Sequence, residues 1–443
     1  MKRPDIIDLV ILFAITFIGV VFLLFFNLKH SMTFVNLDEL LWMYRSRFFI
    51  DGILNFEFSN LIQSSQPGIM VMWAVGPFMK IVNYDFHLIV SFIDNLNDSG
   101  VGYNIINARD EVLYNNYKSL SFLLNIPIFS IIFFFICFLY YLLKKLQFNK
   151  WAIIFFMLLI VTTPYYIYFT TPTDKLVGIF SVLSLLSLLV YASGKGNRKF
   201  FIFSAVLGSW AVLTKMSALF LIPFVLFILI FYKLDFVAYF RKNISLLCLC
   251  GDMKSIIKNY LIWIVIFFIN SIIFLPTIIS NPQFVMSLIV KEGSMRTVVD
   301  NHNILIGLDI ILTYLSDSFL LSFNLFVIII FFAFLVLIIW RIKNKIKVNK
   351  EVLVLVVYFF SFFVYVVLFS KIYSFRYLVP ILIVFQIIAG VGIYEFSNIF
   401  IRKNNIEEKR MIYLWSVAFI LISQGLLIYY SEIEKIEELP YFG

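Results

Sequence analysis

The sequence predicts an all-α polytopic membrane protein, and three features lead to that fold class. Of the 443 residues, 62% are hydrophobic and only 14% are charged, whereas soluble domains average about 25% charged residues. The apolar residues form runs of about 20, the length that crosses a bilayer as a helix. Lys and Arg concentrate in short segments between these runs, which is the pattern of cytoplasmic loops. We therefore expect a single integral membrane domain over residues 1–443.

The runs predict about eleven spans, with the N-terminus in the cytoplasm and the C-terminus outside. Lys2 and Arg3 precede the first run, 6–28, which is longer than the apolar region of a signal peptide and is interpreted as a retained span. The later spans are expected at residues 119–143, 151–169, 176–192, 200–213, 217–232, 259–279, 319–340, 352–370, 377–396 and 411–430. The basic segments that follow alternate spans set the orientation.

Two long extracytoplasmic loops follow from this topology. The first, 28–118, comes directly after span one and is expected to carry interfacial helices and the active site. The second, 280–317, includes the apolar segment 304–315, which is too short to cross a bilayer core of ~30 Å. The predicted topology also places a set of charged residues together on the extracytoplasmic side. These are Asp38, Glu39, Asp174, Lys215, Glu292, Arg296, Lys371 and Arg376.

The first outer loop predicts a helix that lies on the membrane surface. At about 100° per residue, a helix over 37–48 has an apolar stripe formed by Leu37, Leu41, Tyr44 and Phe48. The adjoining face carries Asp38, Trp42 and Arg45, with Glu39 to one side and Arg47 nearly opposite. An amphipathic helix of this kind lies in the interface with its charges turned away from lipid.

Charged side chains at a membrane face indicate a functional site, because an ion near lipid is costly. A carboxylate can remove the proton of a hydroxyl acceptor, and Arg or Lys can stabilise the negative charge on a departing phosphate. Together these residue types suit transfer from a lipid-phosphate donor. Simpler roles stay open: Lys371 and Arg376 can snorkel from span ends, and Asp174 can cap a helix. Asp38 and Glu39 can be first-turn acids.

Five short segments follow one another in a recognisable order. They are Asp38-Glu39 with its downstream arginines, Gln66-Pro67-Gly68 with Trp73, Thr173-Asp174-Lys175, Leu213-Thr214-Lys215 with Pro223, and Arg376-Tyr377 before Pro380. This order resembles the GT-C membrane glycosyltransferases, in the branch of the protein O-mannosyltransferases and the lipid A aminoarabinose transferases. The resemblance covers residues 1–232 well and the remainder loosely.

The resemblance implies an inverting single displacement that moves a sugar from a polyprenyl-phosphate donor to a hydroxyl of a glycolipid, glycan or protein. It makes Asp38 the catalytic base, supported by Glu39. It assigns the donor phosphate to Arg45 or Arg47, Lys215 and Arg376, and the ordering of the pocket to Asp174, Gln66 and Trp73. No cofactor is implied with certainty, and a divalent metal stays open because some GT-C enzymes use one. The expected location is the cell (inner) membrane.

Other functions fit parts of the pattern. An O-antigen-type polymerase or ligase also has many spans, but its large loop falls in the later half of the chain. A transporter or flippase of lipid-linked sugars is expected to show inverted repeats and ions near the middle of the membrane. A structural membrane protein is a third alternative. Nucleic-acid binding is not expected despite the net charge of +9, because the cations follow the loop pattern. Cys137, Cys248 and Cys250 are interpreted as reduced thiols.

Overall fold

The computed structural model describes residues 37–61, 68–82, 111–162, 172–233, 246–287, 290, 325–346, 348–369 and 379–404. In this part of the chain the secondary structure is helical and contains no strand. Five helical segments there are long and apolar enough to cross a membrane: Asn125–Lys145, Thr173–Ala192, Met216–Lys233, Met253–Phe274 and Val379–Ile399. The chain is therefore a helical membrane protein, as the sequence predicts. The spans expected at 6–28 and 411–430 lie outside the described residues.

The helices are numbered in chain order. They are α1 (Leu37–Leu54), α2 (Ile69–Val82), α3 (Glu111–Lys145), α4 (Lys150–Thr162), α5 (Pro172–Ala192), α6 (Arg198–Thr214), α7 (Leu221–Lys233), α8 (Leu246–Phe274), α9 (Thr277–Ser280), α10 (Leu325–Lys343), α11 (Lys350–Phe369) and α12 (Val379–Asn404). Two 3-10 turns, Phe58–Asn60 and Met216–Phe220, precede α2 and α7 respectively.

Several helices extend beyond the spans that hydropathy predicts. Helix α8 begins at Leu246, so the expected loop before residue 259 is wrong over residues 246–258. With 29 residues, α8 is about 44 Å long, which exceeds the thickness of the bilayer core. Its first turns, which precede the span expected from residue 259, contain Lys254 and Lys258. Hydropathy locates only the apolar part of a helix, whereas backbone hydrogen bonding continues into polar residues.

The segment that the sequence predicts as the first outer loop contains two helices, α1 and α2, that pack against each other. The predicted helix over 37–48 is confirmed and continues to Leu54. Phe48 is 46% exposed and its ring centroid lies 4.5 Å from that of Tyr44, so the predicted apolar stripe faces outward here. Trp42 and Met43, on other faces of the helix, are buried. Helix α1 is therefore oriented with the Trp42 face toward the protein.

Helices α5 and α12 form the core of the bundle. Helix α5 packs against α2, α3, α6, α7 and α12, and α12 packs in addition against α4, α10 and α11. Every residue of α5 from 173 to 190 is buried. By contrast, α8 and α10 expose large apolar side chains at helical spacing, including Leu261, Val265, Phe268, Phe332 and Val336. Such stripes are typical of helix faces that contact lipid.

Polar contacts join the helix ends at one end of the bundle. Lys195 Nζ, between α5 and α6, donates to the Leu146 carbonyl at 2.8 Å and to Glu351 Oε1 at 2.7 Å. We name these three residues the basal junction. Nearby on α12, Glu395 accepts from Arg341 Nη2 at 2.8 Å. The sequence predicts all of these segments on the cytoplasmic side.

Candidate functional site

A buried ion pair lies at the opposite end of α5. Lys215 Nζ donates to Asp174 Oδ1, and the two residues are only 3% and 0% exposed. Asp174 occupies the first turn of α5, which begins at Pro172, where the helix dipole favours a carboxylate. The structure thus brings together two predicted site residues that are 41 positions apart in the sequence.

The backbone at Lys215 explains how its side chain reaches this position. Lys215 is extended, with φ −156° and ψ 131°, and it interrupts the helical path between α6 and the following 3-10 turn. Because α6 ends at Thr214, the carbonyl of that residue is outside the regular helical hydrogen-bond pattern. It accepts a hydrogen bond from the backbone N–H of Gly68 at 3.2 Å. The residue before α2 is therefore attached directly beside the buried lysine.

Gly68 also contacts α1. Its φ is +52°, and a Cβ added there would lie 1.9 Å and 2.0 Å from two ring carbons of Trp42. Only glycine allows the backbone to approach the indole so closely. Trp42 is 3% exposed, and Arg45 Cζ lies 5.0 Å from the centroid of its ring, within range of a cation–π interaction. We name the contacting set Trp42, Gly68, Thr214, Lys215 and Asp174 the outer cluster.

Lys175, in the segment Thr173-Asp174-Lys175, is a second buried lysine and is not among the predicted site residues. It is 1% exposed, and its Nζ lies 5.3 Å from the centroid of the Phe129 ring on α3. Asn125, one turn earlier on α3, is also buried. A lysine inside an apolar span is itself a signal of function. That signal was missed because Lys175 directly follows an acidic residue and looks like part of a surface turn.

Two other predicted residues take different positions. Arg47 Nε lies 2.8 Å from Asp51 Oδ2, and Lys80 Nζ of α2 lies 2.7 Å from the other oxygen of Asp51, so Arg47 belongs to a partly exposed ion-pair group. Trp73 Nε1 donates to the Phe274 carbonyl at 2.9 Å. Its ring also packs against that of Phe49 at 5.5 Å. Trp73 therefore holds α2 between α1 and the end of α8.

The remaining predicted site residues fall beyond what the structure describes. Asp38 and Glu39 belong to the backbone of α1, and Asp38 precedes Trp42 by one helical turn, but their side chains are outside the described part. Gln66 and Arg376 lie outside the described residues altogether, as do Glu292, Arg296 and Lys371. The side chains of Cys248 and Cys250 are also outside it.

The outer cluster combines charge with exclusion of water. A lysine in such a site can bind a phosphate oxygen more strongly than one in water, because the local dielectric constant is low. Its partner carboxylate fixes the direction of the ammonium group. The arrangement is suited to stabilising negative charge on a ligand at this end of the bundle.

Comparison of the chain with family models, with curated proteins and with solved structures finds no match. The resemblance of the five segments to the GT-C enzymes therefore stays a prediction. The function has to be inferred from the residues of the outer cluster and from their position in the bundle.

Proposed function

We propose that this protein is a GT-C-type glycosyltransferase that moves a sugar from a polyprenyl-phosphate donor to an acceptor hydroxyl at the extracytoplasmic face. The observation that carries the proposal is the outer cluster. Segments that the sequence singles out separately, around Trp42, Gly68, Asp174 and Lys215, join there through direct contacts. Functional sites are typically formed in this way, by charged residues and residues of unusual backbone conformation that are far apart in the sequence.

Each residue has a role in the proposed reaction. Lys215 binds the donor phosphate and stabilises the charge that develops as the sugar leaves. Asp174 orients the Lys215 ammonium. Arg45, beside Trp42, supplies a second cation, and Asp38, one turn before Trp42 on α1, acts as the base for the acceptor hydroxyl. Gly68 lets α1 approach Lys215 closely enough for base and phosphate site to act on one substrate.

The position of the outer cluster supports an enzyme that works at one membrane face. Helix α5 has 21 residues and is about 32 Å long, close to the thickness of the bilayer core. Asp174 lies at its start and the basal junction follows its end, and residues 176–192 between them contain no charged side chain. The cations at the basal end favour the cytoplasm there. A transporter is expected to carry ions near mid-membrane instead.

Sugar transfer in a membrane fraction tests the proposal. Radiolabelled polyprenyl-phosphate sugars are supplied to membranes that contain the wild type or Asp38→Asn. We expect transfer by the wild type and a loss of ~10²–10⁴-fold with Asp38→Asn at equal protein level, the range for removal of a general base. Asp51→Asn is the matched control, because it removes a carboxylate from the same helix within the Arg47 and Lys80 group. It should transfer sugar within about twofold of the wild type.

Two results would contradict the proposal. The base assignment fails if Asp38→Asn and Asp51→Asn lose activity equally. The transferase fails if the wild type transfers sugar from no donor while lipid-linked sugar accumulates on one membrane face in its absence. That second result would favour a flippase.

A further inference from the structure

Four cations lie where α3 ends and α6 begins, at the basal end of the bundle. Lys144 and Lys145 belong to the last turn of α3, and Arg198 and Lys199 are the first residues of α6. The basal junction holds these two helix ends side by side, because it links the turn before α6 to the residue after α3. We name the four cations the basic corner.

Stacked aromatic rings join the same two helices. The Tyr141 ring of α3 stacks on the Phe200 ring of α6 with their centroids 6.1 Å apart, and Lys145 Nζ lies 5.9 Å from the Tyr141 centroid. Toward the middle of the bundle, the Phe138 ring continues the stack and lies 6.1 Å from the ring of Phe203. Tyr141 and Phe203 are exposed. The rings therefore form an apolar ridge that ends at the basic corner.

The basic corner lacks the carboxylate partners that other basal cations have. Lys195 and Arg341 are each paired with a glutamate, at 2.7 Å and 2.8 Å. Within the part of the chain that the structure describes, none of the four corner cations forms an ion pair, and residues 137–150 and 195–214 contain no Asp or Glu. Arg198 and Lys199 also lie in the first turn of a helix, where the dipole disfavours cations. Contacts inside the described protein therefore leave the charge of this corner uncompensated.

The corner and the ridge together select an amphiphilic anion. Neighbouring Lys and Arg side chains can share phosphate oxygens through charge-assisted hydrogen bonds. The α3 rings belong to the membrane-crossing segment Asn125–Lys145, so their exposed edges face hydrocarbon. A free phosphate would cover only the cations, and the phosphates of a nucleic acid are excluded from hydrocarbon. A phospholipid covers both, and basic clusters beside membrane spans bind anionic head groups.

We propose that the basic corner binds the phosphodiester head group of an anionic phospholipid, whose acyl chains cover the ridge formed by Tyr141 and Phe203. The lipid belongs to the leaflet at the basal end, which the sequence predicts to be cytoplasmic. Because the lipid contacts both helices, it links the end of α3 to the start of α6. This site lies at the opposite end of α5 from the outer cluster and does not depend on sugar transfer.

Native mass spectrometry of the full-length purified protein in detergent tests the proposal. The probes are dioleoyl phosphatidylglycerol and dioleoyl phosphatidylcholine, which share their acyl chains and differ in net charge. We expect the wild type to bind the first phosphatidylglycerol about tenfold more tightly than the first phosphatidylcholine. The double variant Arg198→Gln with Lys199→Gln should weaken phosphatidylglycerol binding about tenfold, because each cation near the membrane surface adds attraction to an anionic lipid.

The matched control is Lys343→Gln with Lys345→Gln, which removes the same charge from two exposed lysines at the end of α10. Helix α10 packs against α12, away from the ridge. This variant should bind phosphatidylglycerol within about twofold of the wild type, as expected for exposed charges outside the site.

A second arm locates the lipid on the wild type without any substitution. The probe is phosphatidylglycerol with a diazirine on the head-proximal part of one acyl chain, and cross-linked peptides are mapped by mass spectrometry. We expect label on residues 134–141 of α3 and 200–203 of α6. Unlabelled phosphatidylglycerol should compete about tenfold better than glycerol 3-phosphate or polyuridine RNA, because neither covers the ridge.

The proposal is overturned if phosphatidylcholine binds as tightly as phosphatidylglycerol, or if the two double variants lose binding equally. Equal loss would indicate a general effect of net charge. Label confined to the exposed faces of α8 and α10 would also overturn it. Competition by glycerol 3-phosphate or by RNA as strong as that by the lipid would assign the basic corner to a soluble anion. None of these results depends on whether the protein transfers sugar.

Discussion

The two ends of α5 are each held by a lysine–carboxylate pair, and the pairs differ in burial. In the outer cluster, the side chains of Lys215 and Asp174 are 4% and 1% exposed. In the basal junction, those of Lys195 and Glu351 are 23% and 8% exposed. The basal pair also joins helix ends through the Leu146 carbonyl. The outer pair instead lies beside an irregular backbone, where the first outer loop meets the end of α6.

From this difference we expect a structural role for the basal pair and a functional role for the outer pair. Removing both members of a buried ion pair from water costs about as much free energy as their attraction returns. A protein with apolar residues of similar volume in their place is often equally stable. Stability alone therefore gives no reason to retain Lys215 and Asp174. The basal pair is partly hydrated, so its smaller desolvation cost leaves a modest net stabilisation. We expect activity to depend on the outer pair and stability to depend on both.

The largest effect is expected when the outer pair is broken. Lys215→Met leaves the buried Asp174 facing an apolar side chain, so the free energy of unfolding should fall by about 3–5 kcal/mol and sugar transfer should fall below detection. The double variant Asp174→Asn with Lys215→Met removes both charges. It should regain most of the stability and none of the transfer. Thermal unfolding in detergent and the transfer assay measure the two effects. Wild-type transfer by the double variant would show that the pair is only structural.

The second prediction concerns the contact between Gly68 and Trp42. Gly68→Ala places a Cβ within 2.0 Å of the indole at a residue with φ +52°, so Trp42 and α1 must shift. A displacement of this size at a reacting group reduces transfer by about 10²-fold. Gly194→Ala is the matched control, because Gly194 has φ +71° and its added Cβ meets no atom within 4 Å.

Gly194→Ala should lower the free energy of unfolding by about 1 kcal/mol through backbone strain and leave transfer per folded molecule unchanged. Equal loss of transfer in the two alanine variants would indicate that backbone strain, and not the position of α1, limits activity. Both variants are measured in the transfer assay after normalisation to folded protein.

The third prediction is a smaller effect at the basal junction. Lys195→Met removes the hydrogen bonds to Glu351 and to the Leu146 carbonyl, so the free energy of unfolding should fall by about 1–3 kcal/mol. Transfer per folded molecule should stay within about twofold of the wild type, because the length of α5, about 32 Å, separates the basal junction from the outer cluster. A loss of transfer as large as that of Lys215→Met would remove the distinction between the two ends.

The smallest effect is expected at Arg47. Its pair with Asp51 is partly exposed and spaced i,i+4, so Arg47→Gln should change the free energy of unfolding by about 0.3–0.5 kcal/mol and leave transfer unchanged. Arg45→Gln is the comparison on the same helix. Because Arg45 lies over Trp42, a member of the outer cluster, its loss should raise the KM for the lipid donor about tenfold. The reverse ranking would assign the donor phosphate to Arg47.

The candidate site could be predicted in part. Asp174 and Lys215 stand out in the sequence because each interrupts an apolar region, and their common side follows from the alternation of spans. Their contact could not be predicted, since it depends on how α5 and α6 pack and on the single extended residue that ends α6. The place of Gly68 between Trp42 and Thr214 is likewise a product of packing.

The sequence by itself determined that this is a helical membrane protein and the approximate position of its described apolar helices. These properties are local, because the length of an apolar run and the charges that flank it act through the bilayer, one segment at a time. Only the tertiary structure decided which charges meet and that Lys175 is buried against the ring of Phe129. Hydropathy constrains how deep a side chain lies in the membrane. The partner of that side chain depends instead on how its helix is rotated and which helices surround it, and both are set by packing in the whole bundle.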